Sequence, residues 1–365
     1  MTETVIRAEG AVRLGGNEVR WAGTMHPPGQ EPAQVTYRFT CPDPDVVAGA
    51  APSPRPFLLA FLPAAMRAGH PVVVEGEVDQ TTLSNLAEWQ EAMACWHRGD
   101  LRPVPLRAEA SPAPRVAAGR GAVAAFSGGV DSCFTAVCTK RTPLRAGVMV
   151  QGFDIHRDDH EVFASAFDRT RRILQPLGIA AHRLHTDVRK LEDRWPVDWE
   201  TTSHGIWLAS ALACFDAWYD LAIIPSTFPY DRQILPWASN PLTDHLLGSE
   251  AVPVWHDGAA FDKLDKVCAI ARVPSVAANL RVCWEGDRLD RNCGRCYKCV
   301  TTAACFWASG VPQPNCFDPM PTIDELSQID FNDAYRLSLA EGIRAAALEI
   351  GRNDVASAIE RALDR

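Results

Sequence analysis

The stretch AVAAFSGGVDSCFTAV, residues 122–137, decides the fold. Five small or apolar residues lead into Ser127-Gly128-Gly129-Val130-Asp131-Ser132, and an apolar run follows. A short buried strand, a glycine turn and the start of a helix account for that order. The same rhythm continues downstream. AGVMVQGF (146–153) reads as a second strand. EVFASAFDRTRRILQPLGI (161–179) carries Phe163, Ala166, Phe167, Thr170, Leu174 and Leu177 at helical spacing. AAHRLHT (180–186) reads as a third strand, GIWLASALACFDAWYD (205–220) as a mostly buried helix, and LAIIPS (221–226) as a fourth strand. This alternation predicts a Rossmann-like parallel sheet covered by helices on both faces.

The flanks read differently. EVRWAG (18–23) and AQVTYRFTC (33–41) alternate like strands, and HPVVVEGEV (70–78) reads as a buried one. PFLLAFLPAAMRAG (56–69) is a helix with a glycine stop, and LSNLAEWQEAMACWH (83–97) an amphipathic helix. SPAPRVAAGRG (111–121) has linker composition. Residues 1–115 are therefore expected to form a smaller α+β domain, 116–320 the α/β domain, and 321–365 a helical tail. That tail opens on the capping box TIDE (322–325) and closes with NDVASAIERALDR (353–365).

Acidic residues outnumber basic ones, 45 to 36, giving a net charge of −9. No long basic block occurs, so a nucleic-acid partner is not favoured. The N-terminus lacks the basic start and apolar block of a signal peptide, and no run of 18 apolar residues suggests a membrane span. A cytoplasmic protein is expected. Of twelve cysteines, Cys41, Cys95, Cys133, Cys138, Cys214, Cys268, Cys305 and Cys316 are scattered singly. The other four are clustered.

Two motifs carry chemistry. In a parallel α/β sheet, ligands bind beyond the carboxyl ends of the strands. A glycine turn there aims backbone N–H groups outward, and the following helix N-terminus adds partial positive charge. Gly128 and Gly129 permit that turn, and Ser127 and Ser132 add hydroxyls. Asp131 suits a phosphate site if Mg²⁺ lies between them. The G-x-x-x-x-G-K spacing of a Walker loop is absent. The second motif, CWEGDRLDRNCGRCYKC (283–299), spaces Cys283, Cys293, Cys296 and Cys299 by nine, two and two residues. Four thiolates suit tetrahedral Zn²⁺, with an Fe–S cluster as the rival.

SGGVDS resembles the PP-loop of the N-type ATP pyrophosphatases. GFDIHRDDHEVFASAFDRTRRILQPLGI (152–179) is similar to a strand and helix of the 7-cyano-7-deazaguanine synthase (QueC) family. Phe153 and Asp154 fit that family's F-D, while Ile155, His156 and Arg157 replace its Y-G-Q. The resemblance runs from about Gly121 to Cys305. It implies a HUP-type sheet, ATP cleaved to AMP and pyrophosphate, an adenylated substrate oxygen, and a structural four-cysteine zinc site. It implies that Ser127, Gly128, Gly129, Val130, Asp131, Ser132, Phe153 and Asp154 hold ATP with Mg²⁺, with Asp131 and Ser132 taking part in catalysis. It also implies a phosphate lysine within HDGAAFDKLDKV (256–267), where Lys263 aligns best and Lys266 is the second choice.

The substrate-facing segments depart from the family. TTSHG (201–205) stands where the family has R-N-T, and PYDRQILPWASNPLTDHLLGSE (229–250) where it recognises the deazaguanine. Ser203, His204, Ser226, Arg232, Asn240 and Asp244 are the substrate-side candidates. The expected reaction is activation of a small-molecule or peptide carboxylate (or amide) oxygen as an acyl-adenylate. Ammonia or an amine then displaces AMP to give an amide or nitrile. A PP-loop sulfur transferase and a non-catalytic nucleotide-binding subunit are the alternatives. A protein partner for the first domain and self-association as a homodimer stay open.

Overall fold

The computed structural model describes residues 2–48, 51, 53–111, 119–139 and 142–365. The N-terminal part supplies β1 (Thr4–Ala8), β2 (Val12–Gly15), β3 (Glu18–His26), β4 (Ala33–Thr40), α1 (Arg55–Ala68), β5 (Val72–Asp79), α2 (Gln80–Trp96) and β6 (Leu106–Ser111). The alternating part follows with β7 (Ala122–Ala125), α3 (Val130–Cys138), β8 (Leu144–Gln151), α4 (His160–Leu174), β9 (Ala180–Thr186), α5 (His204–Ala213), β10 (Leu221–Pro225), β11 (Val254–Asp257) and α6 (Lys263–Ile270). Helices α7 (Pro274–Asn279), α8 (Tyr297–Ala308), α9 (Ile323–Leu326), α10 (Ala334–Glu349) and α11 (Asn353–Leu363) complete the chain. The linker expected at 111–121 lies largely outside the described residues.

The strands form one eleven-stranded mixed sheet in the order β11-β10-β7-β8-β9-β4-β3-β1-β5-β6, with β2 paired to β3. From β11 to β9 every pairing is parallel. The sheet does not stop there, as a purely parallel reading expects. β4 joins β9 antiparallel, with Tyr37 opposite Thr186 and Phe39 opposite Leu184. The strands before residue 111 thus continue the sheet of the strands after 121.

Strand β7 shows why the fold is covered on both faces. Val123 and Ala125 belong to one apolar core with β3, β4, α1 and α5. Ala122 and Ala124 belong to the other, with α3, α6, α8, α10 and α11. Period-two alternation sends successive side chains to opposite faces, so a strand between two helical layers must be apolar throughout. On the first face Trp207 of α5 donates to the Ala60 carbonyl of α1 at 2.9 Å, and Tyr37 meets Ser210 at 2.5 Å.

Helix α5 ends at Ala213, well before the Asp220 expected from its apolar run. The amides of Cys214, Phe215 and Asp216 turn to carbonyls three residues back. Phe215 packs on Phe39 and His182, and Arg55 binds Asp216 at 2.5 Å. Tertiary anchors therefore unwind a segment whose local sequence would continue as helix. The tail is helical, and the capping box at Thr322 and Glu325 is formed. Among the described residues no helix is long and apolar enough to cross a membrane.

Candidate functional site

Chain order reverses around β7. The sequence steps outward through β8 and β9 on one side, then returns through β10 and β11 on the other. That topological switch point is where open α/β sheets bind ligands, and Ser127–Ser132 occupies it. Gly128 has φ +77°, a left-handed conformation that β-carbon-bearing residues avoid. Gly129 is the N-cap of α3 and supplies no side-chain cap, so the first-turn N–H groups of α3 are left for another acceptor. The Ser127 hydroxyl accepts the Gly129 amide at 3.3 Å, and the Ser132 hydroxyl donates to the Gly129 carbonyl at 3.2 Å. Val130 and Phe134 anchor the helix in the core.

The two candidate lysines divide. Lys266, only 1% exposed, donates to Asp131 Oδ1 at 2.7 Å and to the Ser226 carbonyl at 2.5 Å. Lys263, a turn earlier on α6, points instead to Thr301 Oγ1 at 2.7 Å and the Tyr297 ring at 5.8 Å. Burial, helped by Lys298, lowers the Lys263 ammonium below its usual value. The capping box of Asp262 and Asp265 fixes the start of α6 and hence which lysine faces the loop. Asp131 remains 39% exposed. One turn along α3, Thr135 donates to Asp257 Oδ2 at 2.7 Å, tying α3 to the end of β11.

Phe153 and Asp154 follow Gly152 at the end of β8. Phe153 packs on Trp199 at 5.1 Å between centroids, and Arg189 lies over the same indole. The rings continue from Trp199 to His204 (5.8 Å), Trp237 (5.5 Å), Phe228 (5.2 Å) and Tyr335 (5.1 Å). Tyr335 shares a recess with Arg232, Asp262 and Lys263. This aromatic row is scattered over 180 residues of sequence, so no local pattern announces it.

The substrate-side candidates meet different fates. The Ser203 hydroxyl is buried and donates to the Asp198 carbonyl, and the Ser226 hydroxyl donates to the Phe228 carbonyl. His204 Nδ1–H donates to the Trp199 carbonyl at 3.0 Å. Burial lowers its pKa, which keeps the imidazole neutral near pH 7. Arg232 pairs with Asp231 at 3.3 Å. Asn240 and Asp244 come together, with a residue the sequence reading missed. Fully buried Asp244 accepts Ser239 Oγ and His256 Nδ1, both at 2.7 Å, and the Asn240 amide at 3.1 Å. Its oxygens are thus committed to scaffolding. Among the described residues, buried His256 Nε2 and Trp237 Nε1 find no hydrogen-bond partner. The short strand that carries His256 is VWHD, too brief to stand out by pattern. Asp244→Ala strands three buried donors, so urea unfolding should show a loss of about 3–5 kcal/mol.

The four clustered cysteines converge. Their sulfurs all lie within 4.8 Å of one another. Cys283 and Cys296 are 3.8 Å apart, and Cys293 and Cys299 3.9 Å. Zn–S bonds of about 2.3 Å in a tetrahedron place sulfurs roughly 3.8 Å apart, so the set fits a single zinc ion. A four-iron cube interposes its own iron and sulfide between the thiolates and would hold them farther apart. Hydrogen bonds, chiefly from Cys299, lower the Cys296 thiol to about 5, which favours a thiolate there. Buried Asn292 accepts the Val282 amide at 2.8 Å and donates to the Leu280 and Cys316 carbonyls at 2.9 Å. Gly294, at φ +77°, passes so close to Pro319 that a β-carbon would lie 2.5 Å from its carbonyl oxygen.

No family model matches this sequence. Comparison with curated proteins finds no match, and comparison with solved structures finds none either.

Proposed function

We propose that the chain is an adenylate-forming ATP pyrophosphatase, similar to the QueC family, that activates a carboxylate or amide oxygen for attack by ammonia or an amine. One observation carries this reading: an uncapped glycine loop at the switch point of the sheet, with a buried lysine held on its aspartate. The first-turn N–H groups of α3 and the Gly128–Gly129 backbone would hold the leaving phosphates. Lys266 takes the role expected of Lys263, since its ammonium already lies at the loop. Mg²⁺, bound between the phosphates and the partly exposed Asp131, would offset the charge of departing pyrophosphate. Phe153 and Asp154 would border the adenosine. The substrate acid would lie toward His204, Trp237 and Phe228, presenting its oxygen to the α-phosphorus. Nucleophilic nitrogen then attacks the acyl carbon, and the C–O bond to AMP breaks with its electron pair leaving on the phosphate.

In this reading residues 116–320 are the HUP-type catalytic part, 1–115 an added smaller α+β domain available to a protein partner, and 321–365 a helical cap. Zinc at the four cysteines is structural. A cytoplasmic setting keeps the thiols reduced and available to the metal.

Nucleotide chromatography after incubation with ATP, Mg²⁺, ammonia and a panel of carboxylic acids tests the proposal. AMP with pyrophosphate is expected; ADP as the sole product refutes it. The sulfur-transfer alternative needs a reactive thiolate outside the metal cluster. Burial raises the thiol of Cys133 and that of Cys214 far from ionisation at neutral pH. Cys133→Ser, Cys138→Ser, Cys214→Ser and Cys268→Ser should each keep AMP formation within about two-fold. Loss of turnover in a well-folded member of that set would favour thiolation.

A further inference from the structure

Arg281 lies between the two motifs. Its backbone amide donates to the Gly128 carbonyl at 2.8 Å. Its buried guanidinium donates to the Ser127 carbonyl through Nε at 3.2 Å and Nη2 at 3.0 Å. On its other side Nη1 donates to the Leu289 carbonyl at 2.9 Å, within the loop that joins Cys283 to Cys293. Asp154 Oδ2 is 3.7 Å from Nη2. Two residues beyond Arg281 is Cys283, whose amide also reaches Asn292 at 3.3 Å. The segment 280–283 is therefore fastened to the glycine loop at one end and to the cysteine centre at the other. The planar guanidinium spans the gap with donors on two edges, a geometry a lysine cannot reproduce.

We infer that Arg281 couples metal occupancy of the four-cysteine centre to nucleotide affinity at the glycine loop, making the metal a determinant of ATP binding as well as of stability. This rests on the reading that the loop binds the phosphates of ATP. With the cysteines gathered on one ion, the 283–293 loop is closed and Leu289 offers its carbonyl to Arg281. The guanidinium then fixes the Ser127 carbonyl and the Arg281 backbone amide the Gly128 carbonyl, which sets the direction of the neighbouring N–H groups. Without the ion, Cys283 and Cys293 lose their common anchor. Arg281 loses its fixed position, and the loop carbonyls compete with phosphate for the orientation of the turn. Because binding couplings are reciprocal, bound nucleotide must hold the metal more tightly by the same factor.

The test uses the full-length zinc-loaded protein and the magnesium complex of α,β-methylene-ATP, which binds without being cleaved between the α and β phosphates. Affinity for this analogue is measured by calorimetry, and zinc affinity by chelator competition with and without it. In the wild type the analogue should strengthen zinc retention about ten-fold, within the usual range of couplings between sites. In Arg281→Gln, with zinc content unchanged, that effect should fall within about two-fold and analogue affinity should drop about ten-fold. Arg281→Lys should behave as Arg281→Gln, because charge alone does not bridge two carbonyls. Analogue binding to the wild type with no shift in zinc retention overturns the coupling and leaves the ATP reading standing. Undiminished coupling in Arg281→Gln, or rescue by lysine, overturns the role given to Arg281. Failure of the zinc-loaded wild type to bind the analogue overturns the nucleotide reading and the coupling with it.

Discussion

Lys266→Met is expected to slow formation of AMP and pyrophosphate by on the order of 10²–10³-fold, the usual consequence of removing a preorganised charge from a transition state. Methionine keeps most of the buried stem, so the packing of that side chain changes little. What goes is the ammonium that meets Asp131 at 2.7 Å. Asp131→Asn should abolish the reaction while keeping an oxygen for the buried Lys266 ammonium, and the Asp131 side chain is 39% exposed at the mouth of the loop. Lys263→Met is the discriminating control. Its ammonium is spent on Thr301 and Tyr297, so turnover should fall less than about ten-fold. The measurement is the rate of AMP release with an accepted acid, with circular dichroism to confirm folding. Wild-type turnover in Lys266→Met, with the loss confined to Lys263→Met, would return the phosphate role to Lys263.

The second large effect is on stability. Metal analysis of the purified protein should give about one zinc per chain, as a single tetrahedral site requires. Cys283→Ser, Cys293→Ser or full chelation should lower the thermal midpoint by far more than any surface substitution. Structural zinc binds small fingers with about 10–16 kcal/mol of apparent free energy, and that energy is coupled to folding. Here the coupling runs through α8. Cys296 is its N-cap, accepting the Cys299 amide at 3.5 Å, and the helix beyond Cys299 is buried in the second core. Releasing the ion frees the first turn of a helix on which α6 and α10 pack. Calorimetry before and after complete chelation reads this directly. An unchanged midpoint would refute the structural role, and iron with visible absorbance would refute zinc.

The parts legible in the sequence are those encoded by local pattern. β9 spans the AAHRLHT read as a strand, and β7, β8 and β10 fall within one or two residues of their apolar runs. The cysteine spacing implied one ion, and the sulfurs gather as that spacing requires. What pattern does not encode is pairing between distant segments. Nothing in AQVTYRFTC says that its neighbour is AAHRLHT. The choice between Lys263 and Lys266 was likewise illegible, because both lie on one amphipathic helix. Which of them reaches the loop follows from the Asp262 cap and from the Ser226 carbonyl just past β10. His256 carries no local signal because its partner Asp244 lies twelve residues away, at the start of a short 3-10 turn. Arg281 has no local signature, because what distinguishes it is a guanidinium placed between two backbone carbonyls, those of Ser127 and Leu289.

The seam between β4 and β9 has a consequence for how the protein can be cut. A fragment starting near Arg120 would keep the glycine loop, the lysines and the cysteine centre, and would look sufficient on paper. It would also leave the Leu184–Thr186 side of β9 without its neighbour and strip α1 from the apolar surface of α5. An uncovered strand edge beside bare hydrocarbon is a template for other chains to add to. The N-terminal strands therefore cover the β9 edge, and a fragment cut within residues 111–121 is expected to aggregate.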